Sequence, residues 1–476
     1  MSRRALALLA GLALAGCTVG PDYQRPEIES PPAWRISYEQ AAEAVNARWW
    51  EAYGDPVLNQ LVEASLRDNL DLVQAAARVD RFLGALSVTR SQFYPQIGYS
   101  GSASQNRASA NGPTPIPAGV DRDYSLYEAA LGASWQIDLF GRVRRQAEGA
   151  QAQVYASEQG RRGVVLSVVT SVTTAYLALR ALDRELEIAR ATEKNYAGSL
   201  KIFELRHQGG TVSELERSQV ESQYRQAQAA VPGFERQVAQ QENLLSVLLG
   251  RNPGDIPRGK PIDELVDPAI PGGLPADLLE RRPDILQAEE NLRAANASIG
   301  AAKAQYYPSF SLTGLLGLQS TSLDDFAKSS SSAASIALGI AGPIFTFGAI
   351  SGQVSGAEAA QREALAFYRQ VVLNAFRETN DALVGVQKRR EESEALALRV
   401  KALRTYAKLS RAKYDGGLSS YIEVLYAENE LFAAELTSVV ALAQRHAEVV
   451  NVYKALGGGW IDAADPLAPQ PQDQKK

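Results

Sequence analysis

The chain has 476 residues, a single cysteine, a methionine only at its start, two histidines and a formal net charge of −5. One thiol excludes disulfide frameworks and zinc or redox sites built from paired cysteines. The mildly acidic balance of 49 basic against 54 acidic residues excludes the basic footprint of a nucleic-acid binder.

The first element is a leader. Arg3 and Arg4 precede the apolar run Ala5–Ala15, and Leu14-Ala15-Gly16 sets small residues before Cys17. The run is too short for a permanent span and reads as a signal peptide over residues 1–16. Its Leu-Ala-Gly-Cys box resembles that of bacterial lipoproteins, which implies cleavage before Cys17 and acyl chains such as palmitate on that residue. Thr18, where an acidic residue would signal retention at the inner membrane, implies the outer membrane. Acyl chains burying ~0.8 kcal/mol per methylene hold a chain on a membrane. Without residues 1–16 the chain loses two arginines and carries −7. Residues 17–60 are expected to form a lipid-anchored, extended N-terminal segment.

From there the chain repeats itself once. Phe93-Tyr94-Pro95 recurs as Tyr306-Tyr307-Pro308 and Gln74 as Gln287, at an offset of 213. Phe140-Gly141 recurs as Phe347-Gly348, Gly209-Gly210 as Gly416-Gly417 and Leu249-Gly250 as Leu456-Gly457, at an offset of 207. The first copy therefore carries six extra residues between the Tyr-Pro and Phe-Gly landmarks, and the Pro- and Gly-rich 110–119 is the expected exposed loop. The copies span 61–250 and 274–457, with a linker over 251–273 and a tail over 458–476.

The first copy opens with a helix, and each copy carries a pair of strands. Tyr127, Ala129, Leu131, Ala133, Trp135, Ile137 and Leu139 alternate with polar or small residues, the period of a strand with one apolar face. The strands are expected at 95–106 and 124–140, then at 308–319 and 333–346. Alternating segments of about ten residues separated by turns suit a transmembrane barrel as well as a soluble sandwich. The anchor and the helices favour the barrel.

The helices are long. Residues 142–208 and 349–415 contain no proline, and after each Gly-Gly pair a returning helix is expected over 212–249 and 419–456. Val220, Tyr224, Ala227, Val231, Phe234, Val238, Leu245 and Leu248 keep a four-three spacing broken only by Gln241, and His446 fills the matching seam of the second copy. Such a repeat specifies helices wound on one another. A helix of about 65 residues is roughly 100 Å long, far beyond a bilayer core, so these helices run through water. The uncharged Val164–Leu179 is short for a span and reads as a buried coiled-coil face, while Pro232-Gly233 predicts a kink.

Four strands cannot close a barrel, and lipid does not tolerate open sheet edges. Two chains would give a filled eight-stranded barrel, whereas three give twelve strands and a passage. The expected fold is a mixed α/β membrane protein. It is a homotrimer with a twelve-stranded transmembrane β-barrel, four strands per chain, continuing into a periplasmic α-helical coiled-coil barrel.

Four stretches carry a family resemblance: "CTVGPDYQRP" (17–26), "YGDPVLNQLVEASLRDNLDL" (53–72), "GLPADLLERRPDILQAEENLRAA" (273–295) and "NVYKALGGGW" (451–460). The chain resembles the TolC-like outer-membrane efflux proteins, in their lipoprotein branch. The resemblance implies the exit duct of a tripartite pump, docked on a periplasmic adaptor and an inner-membrane transporter of the resistance-nodulation-division type. It implies no catalysis, cofactor, metal or nucleic acid, and a cargo of drugs or other toxic small molecules. A type I protein-secretion duct and a non-conducting coiled-coil scaffold are the alternatives. The Gly-Gly turns then form the periplasmic tip, with Gly209, Gly210, Thr211, Val212, Gly416, Gly417, Leu418 and Ser419 as adaptor contacts. Glu216 and Glu423, at equivalent places, are candidates for an anionic aperture ring held closed through neighbours such as Arg217. Where the family commonly has an acidic residue this chain has Tyr426, and Tyr421 and Tyr426 are candidates to narrow the pore sterically. His207 and His446 are too far apart in the pattern to form a catalytic or metal pair.

Overall fold

A computed structural model describes residues 18–36, 48–111, 117, 119, 121–270, 275–457 and 460–472. The leader, Cys17, most of the 110–119 loop and Gly458-Gly459 lie outside the described residues. The chain forms two compact units that cut across both sequence copies, one of Met1–Pro26, Arg81–Ala156 and Ala288–Tyr368, the other of Glu27–Asp80, Ser157–Gln287 and Arg369–Lys476. In order, the elements are α1 (Pro56–Asp68), α2 (Leu70–Ser91), β1 (Gln96–Arg107), β2 (Asp123–Ile137), α3 (Arg142–Gln208), α4 (Glu214–Leu248), α5 (Leu278–Arg281), α6 (Pro283–Lys303), β3 (Ser309–Ser320), β4 (Ser332–Ala341), α7 (Ala349–Asp415), α8 (Tyr421–Ala455) and α9 (Trp460–Ala464).

The first unit holds one antiparallel sheet in the order β1-β2-β3-β4. Ile97 faces Ala133, Leu131 faces Leu316 and Leu312 faces Leu338, so one face carries most of the apolar residues, with Tyr124, Leu126 and Leu315 on the other. Ser100, Ser102, Glu128, Ser134, Thr313 and Gln319 share the other, where the Glu128 carboxylate accepts from Ser102 Oγ at 3.1 Å and Gln319 Nε2 at 2.7 Å. Strands β2 and β4 stop short of the expected 140 and 346. Asp138 turns back to accept from the Arg144 backbone N–H at 2.9 Å, capping the start of α3. Gly342-Pro343 ends β4, since proline cannot donate to a ladder.

The segment after Cys17 is held against this unit. Val19 N–H donates to the Phe140 carbonyl at 3.2 Å, and the buried Arg145 guanidinium donates to Asp22 at 2.7 Å and Glu148 at 2.8 Å. Gly20, at φ +103°, lies so close to Gly300 that a Cβ would sit 2.4 Å from its Cα. Only glycine fits there. The expected extended segment ends well before residue 60, because Asp55 caps α1 and Trp49–Tyr53 form a 3-10 turn.

In the second unit Val165, Val168, Val172, Ala175 and Leu179 of the α3 seam are all buried, whereas of the α4 seam only Val220, Ala227 and Leu245 are, the rest being half-buried. Among the described residues α3 alone is apolar and long enough to cross a membrane by composition, and 67% of that window is buried within the chain, the signature of packing rather than of a lipid span. Both polar seam residues have partners. Gln241 Nε2 donates to the Ala175 carbonyl at 2.8 Å, and His446 Nδ1 lies 2.6 Å from Asp267 of the linker. Helix α4 runs through Pro232 without interruption. Trp49, Trp50, Tyr53, Tyr453 and Trp460 pack as one buried aromatic group, with Trp49 stacked on Tyr453 at 4.9 Å. Arg161, buried on α3 and paired with Glu158 one turn back on the same helix, holds the tail through Asp465 and the Pro469 carbonyl.

Burial pushes the Glu185 carboxyl of α3 up to about 7. Between its ordinary 4.5 and that value the folded chain holds a proton the unfolded chain has lost, so stability falls as pH rises across that window. Glu185→Gln is therefore expected to raise stability by at least ~1 kcal/mol at pH 8 and to change little at pH 4. Thermal unfolding at the two pH values checks this, and an equal shift at both would refute it.

Candidate functional site

Two features of the fold suit a duct: the helical turns that join α3 to α4 and α7 to α8, and the two-faced sheet. Each turn closes in the same way. Gly209 N–H donates to the Leu205 carbonyl, Gly210 to His207 and Thr211 to Arg206; Gly416 donates to Ala412, Gly417 to Tyr414 and Leu418 to Lys413, all at 2.9–3.1 Å. Gly210 and Gly417 sit at φ +69° and +70°, the left-handed conformation by which a Schellman-type end satisfies its last carbonyls.

Beyond the turns the copies diverge. Ser213 begins α4 with a full capping box: the Glu216 N–H donates to Ser213 Oγ at 3.2 Å, and Ser213 N–H donates to Glu216 Oε2 at 2.8 Å. At the matching place in the second turn the Ser420 side chain makes no cap. Ser213→Ala is expected to cost about 1 kcal/mol of local helix stability, read as faster amide exchange over the first turn of α4 with the rest of the helix unchanged; unaltered exchange there would refute the cap's contribution.

Behind the turns lies an apolar cluster of Leu200, Phe203, Val220, Tyr421, Val424 and Leu425. Phe203 and Tyr421 are 4.3 Å apart and Tyr414 meets Tyr421 at 4.9 Å. Arg411 lies over the Tyr421 ring, donates to Glu428 at 2.8 Å and reaches Ser199 of α3, while Arg206 donates to Tyr414 Oη at 2.7 Å.

The sheet has unpaired edges at β1 and β4, and its apolar face is exposed at Ile97, Tyr99, Leu131, Leu316, Ile336, Leu338 and Ile340. The model of the family described as outer membrane efflux protein matches residues 61–251 and 274–458. The chain belongs to that family.

Similar proteins agree with it. The solvent efflux pump outer membrane protein SrpC of Pseudomonas putida is 34% identical across 97% of this chain and 99% of its own. The probable outer membrane lipoprotein SilC of Salmonella typhimurium is 32% identical across 94% and 97%. The open-state structure of the Neisseria gonorrhoeae MtrE outer membrane channel is 28% identical, with a TM-score of 0.84 over 93% of this chain and 99% of that one. This outer membrane efflux protein is thus an exit duct of an efflux pump, in a channel family and not an enzyme family.

Within this efflux protein the residues expected at the tip and aperture fall into two groups. Leu418 is 81% exposed and Tyr426 62% exposed, whereas Tyr421 is only 2% exposed. Tyr421 faces the cluster, and burial raises its hydroxyl pKa. Arg217 does not pair with Glu216. It donates to Glu221 at 3.0 Å and pairs with Glu214, whose carboxyl it holds at about 2, because Glu216 is folded back onto Ser213. Glu216 and Glu423 are both partly exposed. The arginines 206 and 411 that bind the cluster were not singled out by the sequence, although Phe203, Tyr414 and Tyr421 on neighbouring seams carried the signal of a buried aromatic group.

Proposed function

We propose that three copies of the chain close a twelve-stranded barrel through the outer membrane and continue it as a coiled-coil barrel into the periplasm, forming the passive final conduit of a tripartite pump. The observation that carries this reading is the four-stranded sheet with an apolar outer face and two unpaired edges: edge groups left bare in lipid cost several kcal/mol each, and further chains supply the missing neighbours. The polar face around Glu128 then lines the passage. Acylated Cys17 anchors the assembly, and Val19, bound two residues on at the foot of β2, fixes where that anchor emerges. SilC's description as a lipoprotein supports the anchor.

The turns at Gly209-Gly210-Thr211-Val212 and Gly416-Gly417-Leu418-Ser419 dock on a periplasmic adaptor, which couples the duct to a resistance-nodulation-division transporter. The cargo is apolar or amphiphilic toxic small molecules, the class named for SrpC being solvents. Glu216 and Glu423 contribute six carboxylates to the periplasmic aperture and favour cations, with Tyr426 beside them.

The native mass of the detergent-extracted protein tests the assembly: three chains per particle are expected, and a stable monomer would sink the barrel. In planar bilayers, Glu216→Ala with Glu423→Ala is expected to lower cation selectivity severalfold, and unchanged selectivity would remove the ring.

A further inference from the structure

The four strands carry three charged side chains, Arg107, Asp123 and Glu128. Arg107 and Asp123 oppose each other at the loop end of β1 and β2, on the mainly apolar face, and pair at 3.6 Å. Glu128 stands on the other face with no charged residue of the strands beside it. Its cross-strand neighbours are Ser102 on β1 and Gln319 on β3. Each donates to a different carboxylate oxygen, Ser102 Oγ to Oε2 at 3.1 Å and Gln319 Nε2 to Oε1 at 2.7 Å. The clamp holds the carboxylate over the middle of β2 and leaves each oxygen further acceptor capacity.

The second hairpin has no such group. Under the offset of 207 Glu128 corresponds to Ser335, and under 213 Ser102 corresponds to Leu315. Leu315 and Ser335 also oppose each other, so the geometry of the pair is kept while the charge and its hydroxyl donor are not. Each chain therefore brings one strand carboxylate to the polar face. It lies nine residues before Ile137, where β2 ends towards α3, or about 30 Å along the strand, near the end of the sheet remote from the helices. Glu216 and Glu423 belong to the other unit.

We propose that Glu128, fixed by Ser102 and Gln319, is a second charge filter of the duct, set in the barrel and independent of the carboxylates at the turns, and that it favours cationic over anionic solutes at the outer end of the passage. The proposal rests on the three-chain barrel argued above. Twelve strands ~4.8 Å apart and tilted ~40° enclose a cylinder of backbone radius roughly 12 Å. Three glutamates reaching about 5 Å inward stand roughly 7 Å from its axis, inside the Debye length of ~8 Å at physiological salt. A solute on the axis is then within the field of all three.

The test measures reversal potentials of the full-length protein in planar bilayers under a potassium chloride gradient. Glutamine can keep both contacts, accepting from Gln319 and donating to Ser102 Oγ, so Glu128→Gln removes the charge and little else. It is expected to lower the potassium-to-chloride permeability ratio severalfold with the three-chain native mass unchanged, and Glu128→Lys to lower it further. The difference should vanish near ~1 M salt, where the Debye length is about 3 Å; a difference that persists there overturns the electrostatic cause. Glu128→Gln combined with Ser335→Glu returns a carboxylate to the same face from the second hairpin and is expected to restore most of the ratio. A fall that Ser335→Glu leaves unrestored overturns the filter. So does an unchanged ratio in Glu128→Gln while Glu216→Ala with Glu423→Ala lowers it, an outcome that leaves the duct standing. Should Glu128→Gln fail to assemble, Ser335→Glu alone must raise the ratio, and no rise overturns the proposal. A one-chain native mass of the unaltered protein with no conductance overturns the duct itself.

Discussion

Replacing Asp55 with alanine is expected to destabilise the second unit by about 4 kcal/mol, near the upper end for a single substitution. The carboxylate is fully buried and accepts three hydrogen bonds, from Tyr176 Oη at 2.7 Å, Val57 N at 2.9 Å and Lys260 N at 3.0 Å. Tyr176 in turn accepts from Gly259 N at 2.9 Å. Alanine removes the cap of α1, worth about 1 kcal/mol, and strands a buried hydroxyl and a backbone N–H at about 1–3 kcal/mol each. Asparagine keeps one acceptor and is expected to lose roughly half as much. Gly259 has no room for a side chain, since a Cβ there would lie 1.9 Å from Asp55 Oδ1; Gly259→Ala should therefore match the loss. Denaturant unfolding decides this, and a loss under ~1 kcal/mol for Asp55→Ala would show that the site relaxes or admits water.

The second large effect is expected at Arg282, in the stretch "LERRPDI". Its buried guanidinium donates to the Ala455 carbonyl at 2.8 Å, to Asp284 at 2.7 and 3.0 Å and to Glu378 at 2.8 Å. It thereby joins the start of α6 to α7 and to the last turn of α8, whose carbonyl has no partner along the helix. Arg282→Ala is expected to cost about 3 kcal/mol, less than a fully buried pair because both carboxylates are half-exposed. Lysine cannot reproduce a fork that serves three partners, so Arg282→Lys should recover less than half. Full recovery by lysine would show that charge alone matters there.

The long elements were legible because period and punctuation agree in them. Glycine pairs end α3 and α7, and alternation marks all four strands. Less legible was everything that depends on chain segments far apart in sequence. Asp267 partners His446 from a linker with no periodic signal, and Asp55 is read locally as a cap while its largest contribution comes from Tyr176 and Lys260, more than a hundred residues away. At the tips the repeat itself misled. Ser213 and Ser420 occupy equivalent positions, yet only the first makes a capping box, and that box takes Glu216 away from Arg217. Tyr421, a candidate with Tyr426 to narrow the pore where the family commonly has an acidic residue, packs its ring against Phe203 and Tyr414 in the single chain, a contact no local pattern announces.

The bare edges of the sheet have a genetic consequence. Where three chains close the ring as proposed, a copy whose β4 cannot pair would spoil the whole ring that admits it. In a cell making equal amounts of sound and defective chains, about one ring in eight would then be free of the defect. A mutant allele damaging Leu338 or Ile340 would act dominantly over the normal one, while an allele that prevents export of the chain would be recessive.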